Sequence, residues 1–361
     1  VITKYVFRIS KMSSQFWLDA FSVVTKVVTA FSIVFSTPFY VSVMYFIIKR
    51  KHKMPYSSSF YSIFLALGVA DLVSYYLYIF KKGSYWNWIL PFFLPTNTPN
   101  LPATILYFLI WLFAFAQFQL NILISLNRFV SILMPDIYVK AWTTEFNRFI
   151  ILLIYGDAAM GALPILWQKC IFSVISITGE GGENITKITG PVFQSPYIRD
   201  VYNTAWKVHI YLILLTCVVC YTIMFWKIRR LDLRDRNKKM AVEVRMFYTL
   251  LVLLIANVFY TIYLLTRDTL EHIFLDSGKY SEWSLYLLGD IYNMHNPYGL
   301  LITSREISRS VFPFKYFRWG KKKVATVAIV KSNNNCLTGQ INTSSKNSSN
   351  SGNEKVTSNN L

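Results

Sequence analysis

The run SFYSIFLALGVADLVSYYLYIF, from Ser59 to Phe80, decides how this chain is read. It is apolar at nearly every position and carries a single carboxylate, Asp71, in its middle. A helix rises about 1.5 Å per residue, so about 20 residues cross a hydrocarbon core about 30 Å thick. Working outward, comparable runs lie near 27–48, 103–126, 149–167, 204–226, 246–265 and 283–303. A helix satisfies its own backbone hydrogen bonds, which makes it the natural spanning element in lipid. The pattern predicts an all-α bundle of seven transmembrane helices. Gly156, Asp157, Gly161 and Pro164 interrupt the fourth run, so a re-entrant fourth segment with six full spans is the rival reading.

Composition agrees. Hydrophobic residues make up 54% of the chain and charged residues 15%, against about 25% charge in an ordinary soluble domain. The formal net charge of +19 is unevenly distributed. Lysines and arginines crowd into residues 49–53, 128–148, 227–245 and 305–323, and are sparser in the alternate connections, where Lys81, Lys82, Lys169 and Arg267 lie. Cytoplasmic loops are the Lys/Arg-rich ones, so the expected topology has the N-terminus outside and the C-terminus inside. This excess is a topology signal that also suits anionic membrane lipids; it implies no nucleic-acid partner.

The expected organisation is an extracellular segment 1–26, a seven-helix domain 27–303, a juxtamembrane amphipathic and basic segment 304–323, and a disordered tail 324–361. The longest outer loop, 168–203, contains a Gly-rich stretch at 179–182 and the glycosylation pattern Asn184-Ile185-Thr186. Of the four cysteines only Cys170 lies near the outer face, so no outer intrachain disulfide is expected, and Cys217 and Cys220 read as packing residues. No metal site, cofactor motif or catalytic pattern is recognisable, so the chain does not read as an enzyme.

Polar residues inside the spans carry the functional reading, because they are expensive there and face the bundle interior. Asp71 and Asp290 both fall near mid-membrane. Asn293 and Asn296 follow Asp290 on roughly one helix face, and Pro297 permits a kink. Asp71, Asp290, Asn293, Asn296 and Pro297 are therefore candidates for an intramembrane polar switch, with a static interhelical cluster as the alternative. Asn127 and Arg128 close the third segment at the inner boundary; with Arg229 and Arg230 they are candidates to face an intracellular partner. Trp111, Phe115, Lys207, His209 and Tyr260 are candidates to line a ligand pocket in the outer half, with core packing or headgroup anchoring as the plainer roles. A second functional class is a transporter or ion pathway that uses Asp71, Asp157 and Asp290 as a proton relay.

The chain resembles seven-helix receptors and, more closely, the nematode serpentine chemoreceptors of class gamma (Srg) or a close class of the same superfamily, over most of 30–312. The resemblance rests on Phe60-Tyr61-Ser62-Ile63-Phe64 leading to Asp71, on Leu126-Asn127-Arg128-Phe129 through Met134-Pro135, and on Asn296-Pro297-Tyr298-Gly299-Leu300-Leu301. It implies a chemosensory G-protein-coupled receptor with a small-molecule ligand and a heterotrimeric G protein as partners. By the same resemblance it sits in the plasma membrane, with a sensory cilium as one possible site. The chain departs from the rhodopsin-like pattern in three places. Asn127 stands where an acid would precede Arg128, no cysteine caps the outer end of the third helix, and Leu300 stands where a tyrosine would follow Pro297.

Overall fold

The structure is a computed structural model that describes residues 20–50, 52, 59–85, 96–178, 184–230, 238–273, 277–303 and 307. Among these residues are seven long helical segments, one short helix and one two-stranded sheet. We number the helices α1 (Ala20–Lys49), α2 (Ser59–Tyr85), α3 (Leu101–Leu133), α4 (Pro135–Ala141), α5 (Thr144–Ala162), α6 (Pro196–Arg230), α7 (Lys238–Ile273) and α8 (Ser277–Thr303). The strands are β1 (Cys170–Thr178) and β2 (Asn184–Phe193). Five helices among the described residues are long and apolar enough to cross a membrane, and a shorter apolar stretch, Leu251–Thr266, lies within α7.

Local sequence sets the helix boundaries. Asn100 caps α3: its side chain accepts from the Ala103 N–H at 2.8 Å, and Pro102 stands where a missing N–H does no harm. Met134 breaks regular geometry before Pro135 opens α4. Thr143 caps α5 through the Phe146 N–H at 3.2 Å, and Glu145 adds a favourable charge in the first turn. The fourth apolar run is a continuous helix followed by a 3-10 turn at Leu163–Trp167, so Gly156 and Gly161 lie inside α5 and Pro164 sits at its end. With that turn it runs Thr144–Trp167, long and apolar enough to cross a membrane. Only 17% of this segment is buried, the smallest share of the five candidate spans, which places α5 on the rim of the bundle.

α3 is the central element, packed against α2, α5, α6 and α7 and against both strands. At about 1.5 Å per residue its 33 residues run about 50 Å, well beyond a hydrocarbon core. The α1–α2 approach is close because Gly68 has no side chain. A Cβ there would stand 3.0 Å from Met44 Sδ and 3.2 Å from the Tyr40 ring, and that space lets Tyr40 reach across to Asp71. α1 also contains a π-turn at Ser32–Ser36, where the Thr37 N–H bonds back to the Ser32 carbonyl.

The described residues add detail at three of the expected boundaries. Among the described residues helix is present from Ala20, within the expected N-terminal segment 1–26. Within the outer connection 168–203, Cys170–Thr178 and Asn184–Phe193 pair as antiparallel strands, with Cys170 opposite Phe193 and Thr178 opposite Asn184, and both runs are rich in β-branched residues. The second segment continues past Phe80 to Tyr85, which carries Lys82 into the bundle. Trp86 and Trp88, the Gly-rich stretch 179–182, the segment 304–323 except Ile307, and the tail 324–361 lie outside the described residues.

Candidate functional site

Two polar clusters occupy the bundle interior. The first is built on Asp71 in α2. Its carboxylate accepts from Tyr40 Oη at 2.5 Å, Gln117 Nε2 at 2.7 Å and Asn296 Nδ2 at 2.5 Å. Gln117 uses its second amide hydrogen on Asn293 Oδ1 at 2.7 Å and accepts from Ser74 Oγ at 3.0 Å. α1, α2, α3 and α8 therefore meet at one carboxylate held by neutral donors. Pro297 lies inside α8 and offers no N–H, so the Asn293 carbonyl one turn earlier loses its helical donor beside this cluster.

The second cluster is built on Asp290. It forms a buried ion pair with Lys82 and accepts from Thr29 Oγ1 at 2.5 Å. Lys82 Nζ also reaches Thr29 Oγ1 at 3.2 Å and the Tyr286 carbonyl at 3.4 Å, and Tyr75 Oη bonds the Thr29 carbonyl at 3.1 Å. Here α1, α2 and α8 are tied by opposite charges. Of the sequence candidates, Asp71, Asn293 and Asn296 come together, whereas Asp290 belongs to this separate cluster. Lys82, Gln117, Tyr40 and Thr29 were missed. The signal for Lys82 was its spacing: eleven residues after Asp71 is three helical turns, the same face of α2.

The three carboxylates proposed as a proton relay fall into three separate hydrogen-bonded groups. Asp157 is exposed on α5 and accepts from Gln119 Nε2 at 2.6 Å, apart from both buried clusters.

At the end of the bundle nearest the hairpin is a cavity of about 440 Å³. Trp111, Trp206 and Lys207 line it, together with Tyr107, Lys81 and Arg199. Phe115 and His209 stand behind that wall, with Phe115 5.0 Å from the Trp206 ring and 5.2 Å from the His209 ring. Tyr260 is not a lining residue; it stacks on Tyr292 at 4.3 Å inside the core. Ring contacts run from the cavity inward. Trp111 meets Trp206 at 5.1 Å, Trp206 meets Phe118 at 5.2 Å, and Phe118 stacks on Tyr292 at 5.6 Å. Asn121, whose amide donates to the Gln117 main-chain carbonyl at 3.0 Å and to Tyr292 Oη at 3.3 Å, lies one turn of α3 from the Asp71 cluster and touches this aromatic path.

The hairpin is fastened to the start of α3 without a disulfide. The Asn97 N–H bonds the Phe172 carbonyl at 2.9 Å and the Asn100 N–H bonds the Cys170 carbonyl at 3.2 Å. Cys170, Phe172 and Phe193 pack with Ala103, Leu106 and Ile110. Burial raises the Cys170 thiol to about 11, so it stays a protonated, free thiol at neutral pH. Cys217 and Cys220 are free and buried, as packing residues should be. The side chain of Asn184, the glycosylation candidate, lies outside the described residues, although its backbone opens β2.

At the opposite end, Asn127 and Arg128 are buried, not displayed on the surface. Asn127 Nδ2 donates to Ser59 Oγ at 2.7 Å, and Ser59 in turn bonds Tyr138 Oη at 2.6 Å, linking α2, α3 and α4. The Arg128 guanidinium lies 4.3 Å over the Phe60 ring, a cation–π contact available to Arg128 without an adjacent acid. Arg229 and Arg230 are exposed at the end of α6, where they stack on Phe225 and Trp226 at 4.7 and 4.3 Å.

No curated protein matches this chain. A family model, that of the serpentine type 7TM GPCR chemoreceptor Srv, matches residues 29–315. The match supports the serpentine superfamily to which the motifs pointed and names the Srv class where the sequence suggested gamma. It covers α1 from Thr29 onward, the other described helices and both polar clusters, and it agrees with a helical membrane bundle. The chain belongs to the serpentine 7TM GPCR chemoreceptor family Srv.

Proposed function

We propose that this membrane receptor binds a small molecule in the cavity beside the hairpin and passes the event to a heterotrimeric G protein at the Arg128 end. The observation that carries this reading is the aromatic path from Trp111 and Trp206 through Phe118 to Tyr292, which ends on Asn121, one turn of α3 from Gln117 of the Asp71 cluster. A ligand shifts a conformational equilibrium only by binding the two states differently. Displacing Trp206 would move Phe118 and Tyr292, and the neutral amides around Asp71 can exchange partners at small cost compared with separating charges. In this reading all seven long helices span the bilayer, the hairpin faces outside, and the basic connections and tail face the cytoplasm, as the Lys/Arg distribution requires. Arg128 and Asn127 then become accessible only when the helices at that end part, and exposed Arg229 and Arg230 supply the resting basic surface.

The test is a cell line expressing the receptor tagged at both ends with a promiscuous G protein, screened with volatile and water-soluble compounds for calcium release. A saturable, G-protein-dependent response that disappears in Ala114→Trp, with surface expression unchanged, is the expected result, since Ala114 lines the cavity. A response indifferent to Ala114→Trp removes the cavity from the account. Normal signalling by a surface-expressed Arg128→Ala receptor removes the role given to Arg128.

A further inference from the structure

α5 carries a carboxylate where a membrane helix can least accommodate one. Asp157 is exposed, yet it lies about 20 Å from Thr144 and about 15 Å from Trp167 along an apolar candidate span, at about 1.5 Å per residue. A carboxylate at that depth is costly and ordinarily faces the bundle interior or a charged partner. Among the described residues its hydrogen-bond partner is neutral, the Gln119 Nε2 amide of α3 at 2.6 Å. Gln119 Oε1 and, on α6, His209 Nε2 are buried without a hydrogen-bond partner. Buried polar atoms are nearly always paired, so these two call for an explanation.

The three side chains meet at one gap. α5 and α6 each pack on α3, and more closely on it than on one another. Tyr202 Oη of α6 donates to the Gly161 carbonyl of α5 at 2.5 Å, which closes the gap at the end nearest the hairpin. Asp157 lies one turn of α5 below that bond. Phe115, one turn of α3 above Gln119, packs under Gly161, where a Cβ would stand 3.5 Å from its ring, and lies 5.2 Å from the His209 ring. His209 stacks on Trp206 at 6.0 Å and is within electrostatic reach of the Asp157 carboxylate. The gap therefore has a carboxylate on one side, an imidazole on the other, an amide on its floor and aromatic rings above. Leu153 and Met160 of α5 and Leu212 of α6 are exposed beside it. Asp157, Gln119 and His209 are not among the described residues that line the cavity.

We propose that the gap between α5 and α6 is a second ligand site, separate from the cavity, which takes a lipophilic amine from the bilayer with Asp157 as its counter-ion. An ammonium head carries a positive charge and three N–H donors. Its strongest hydrogen bond is to an ionised oxygen. Joined to Asp157 it forms a unit without net charge, which costs less in hydrocarbon than the lone carboxylate. Gln119 Oε1 is an acceptor and His209 Nε2 can act as one, so both can take the remaining N–H groups as the side chains turn toward the head. Phe115 and Trp206 add ring faces for a cation. An alcohol brings one donor and no charge, and a fatty acid brings a like charge, so the site ranks amine over alcohol over acid. The alkyl chain then lies along Leu153, Met160 and Leu212.

The experiment uses the full chain in phosphatidylcholine nanodiscs and a dodecylamine that carries a diazirine in its chain. After photolysis, mass spectrometry locates the labelled residues. Saturable labelling is expected on α5 around Asp157 and on α6 around His209. Unlabelled dodecylamine should displace the probe about tenfold or more effectively than dodecanol, and dodecanoate should not displace it. Asp157→Asn keeps the shape and should weaken the probe about tenfold, whereas Asp157→Glu should keep most of its binding; thermal unfolding confirms that both variants are folded. Ala114→Trp, which fills the cavity, should leave the labelling unchanged. Absence of saturable labelling on the folded receptor overturns the proposal, as does labelling indifferent to Asp157→Asn. Displacement by dodecanol as effective as by dodecylamine also overturns it, since the site would then recognise a neutral donor. Labelling on Trp111 and Lys207 that Ala114→Trp abolishes would place the amine in the cavity, overturning the second site and leaving the cavity reading standing.

Discussion

The Lys82–Asp290 cluster and the Asp71 cluster share α1, α2 and α8, yet they are built on opposite principles. At Asp290 a full positive charge answers a full negative charge, and Thr29 and the Tyr286 carbonyl fill remaining hydrogen-bond positions. At Asp71 a carboxylate is held by a phenol and two amides, with no cation among these donors. Separating a buried ion pair exposes two charges to a low-dielectric interior. Exchanging one amide donor for another leaves the count of hydrogen bonds nearly unchanged. The comparison teaches that one cluster is a strut and the other is the part able to rearrange.

Breaking the strut should give the largest effect. Asp290→Ala leaves Lys82 buried without its carboxylate and should destabilise the receptor by about 3–5 kcal/mol, the usual size for orphaning one partner of a buried pair. Thermal unfolding in detergent measures it. The double variant Lys82→Met/Asp290→Leu should recover most of the loss, because two apolar groups need no counter-ion. If the double variant is no more stable than the single one, the pair is not the strut described here.

A middle-sized effect is expected at Asp71→Asn. The shape is kept, but one amide hydrogen now faces donors instead of offering them an acceptor, so a loss of about 1–3 kcal/mol follows. On the proposed function, this variant should also change basal G-protein signalling, whereas Lys82→Met/Asp290→Leu should change stability with little change in the basal level. Equal signalling changes in both would erase the distinction between the clusters.

The smallest effect belongs to Tyr40→Phe. It removes one of three donors to Asp71 and keeps the ring that fills the space over Gly68. Interhelical hydrogen bonds in membrane proteins average about 0.6 kcal/mol, and a loss of that order is expected in the same melting experiment. A loss as large as that of Asp290→Ala would mean that Asp71 depends on Tyr40 much as Asp290 depends on Lys82.

What could be read in the sequence follows from how polar groups behave in lipid. Asp71 and Asp290 stand out because a carboxylate in an apolar run is costly wherever it points. Gln117, Tyr40 and Thr29 do not stand out, since neutral polar residues are tolerated on any helix face and only a neighbour's position reveals their partner. Lys82 looked like a loop cation because it follows the apolar run by two residues, and only the extra turn of α2 to Tyr85 carries it inward. Arg128 looked like a surface residue for the same reason, since the chain position marks a boundary while burial depends on Phe60 and the packing of α2. The paired strands had their own signal, two β-rich runs on either side of a Gly-rich stretch, which the length of the connection obscured.

By itself the sequence determined the class of molecule: membrane helices, their approximate ends, and the presence of costly polar residues within them. Those properties depend on composition along one strand of chain and on the thickness of lipid, both of which are local. Only the tertiary structure decided that Asp290 pairs with Lys82 and Asp71 with Gln117 and Asn296, and that Lys81, Arg199 and Lys207 share one cavity. Partner choice depends on which helix faces meet and at what depth. In a bundle, where lipid tails are as apolar as leucine, interhelical packing sets that geometry, and periodicity along a single helix does not report it.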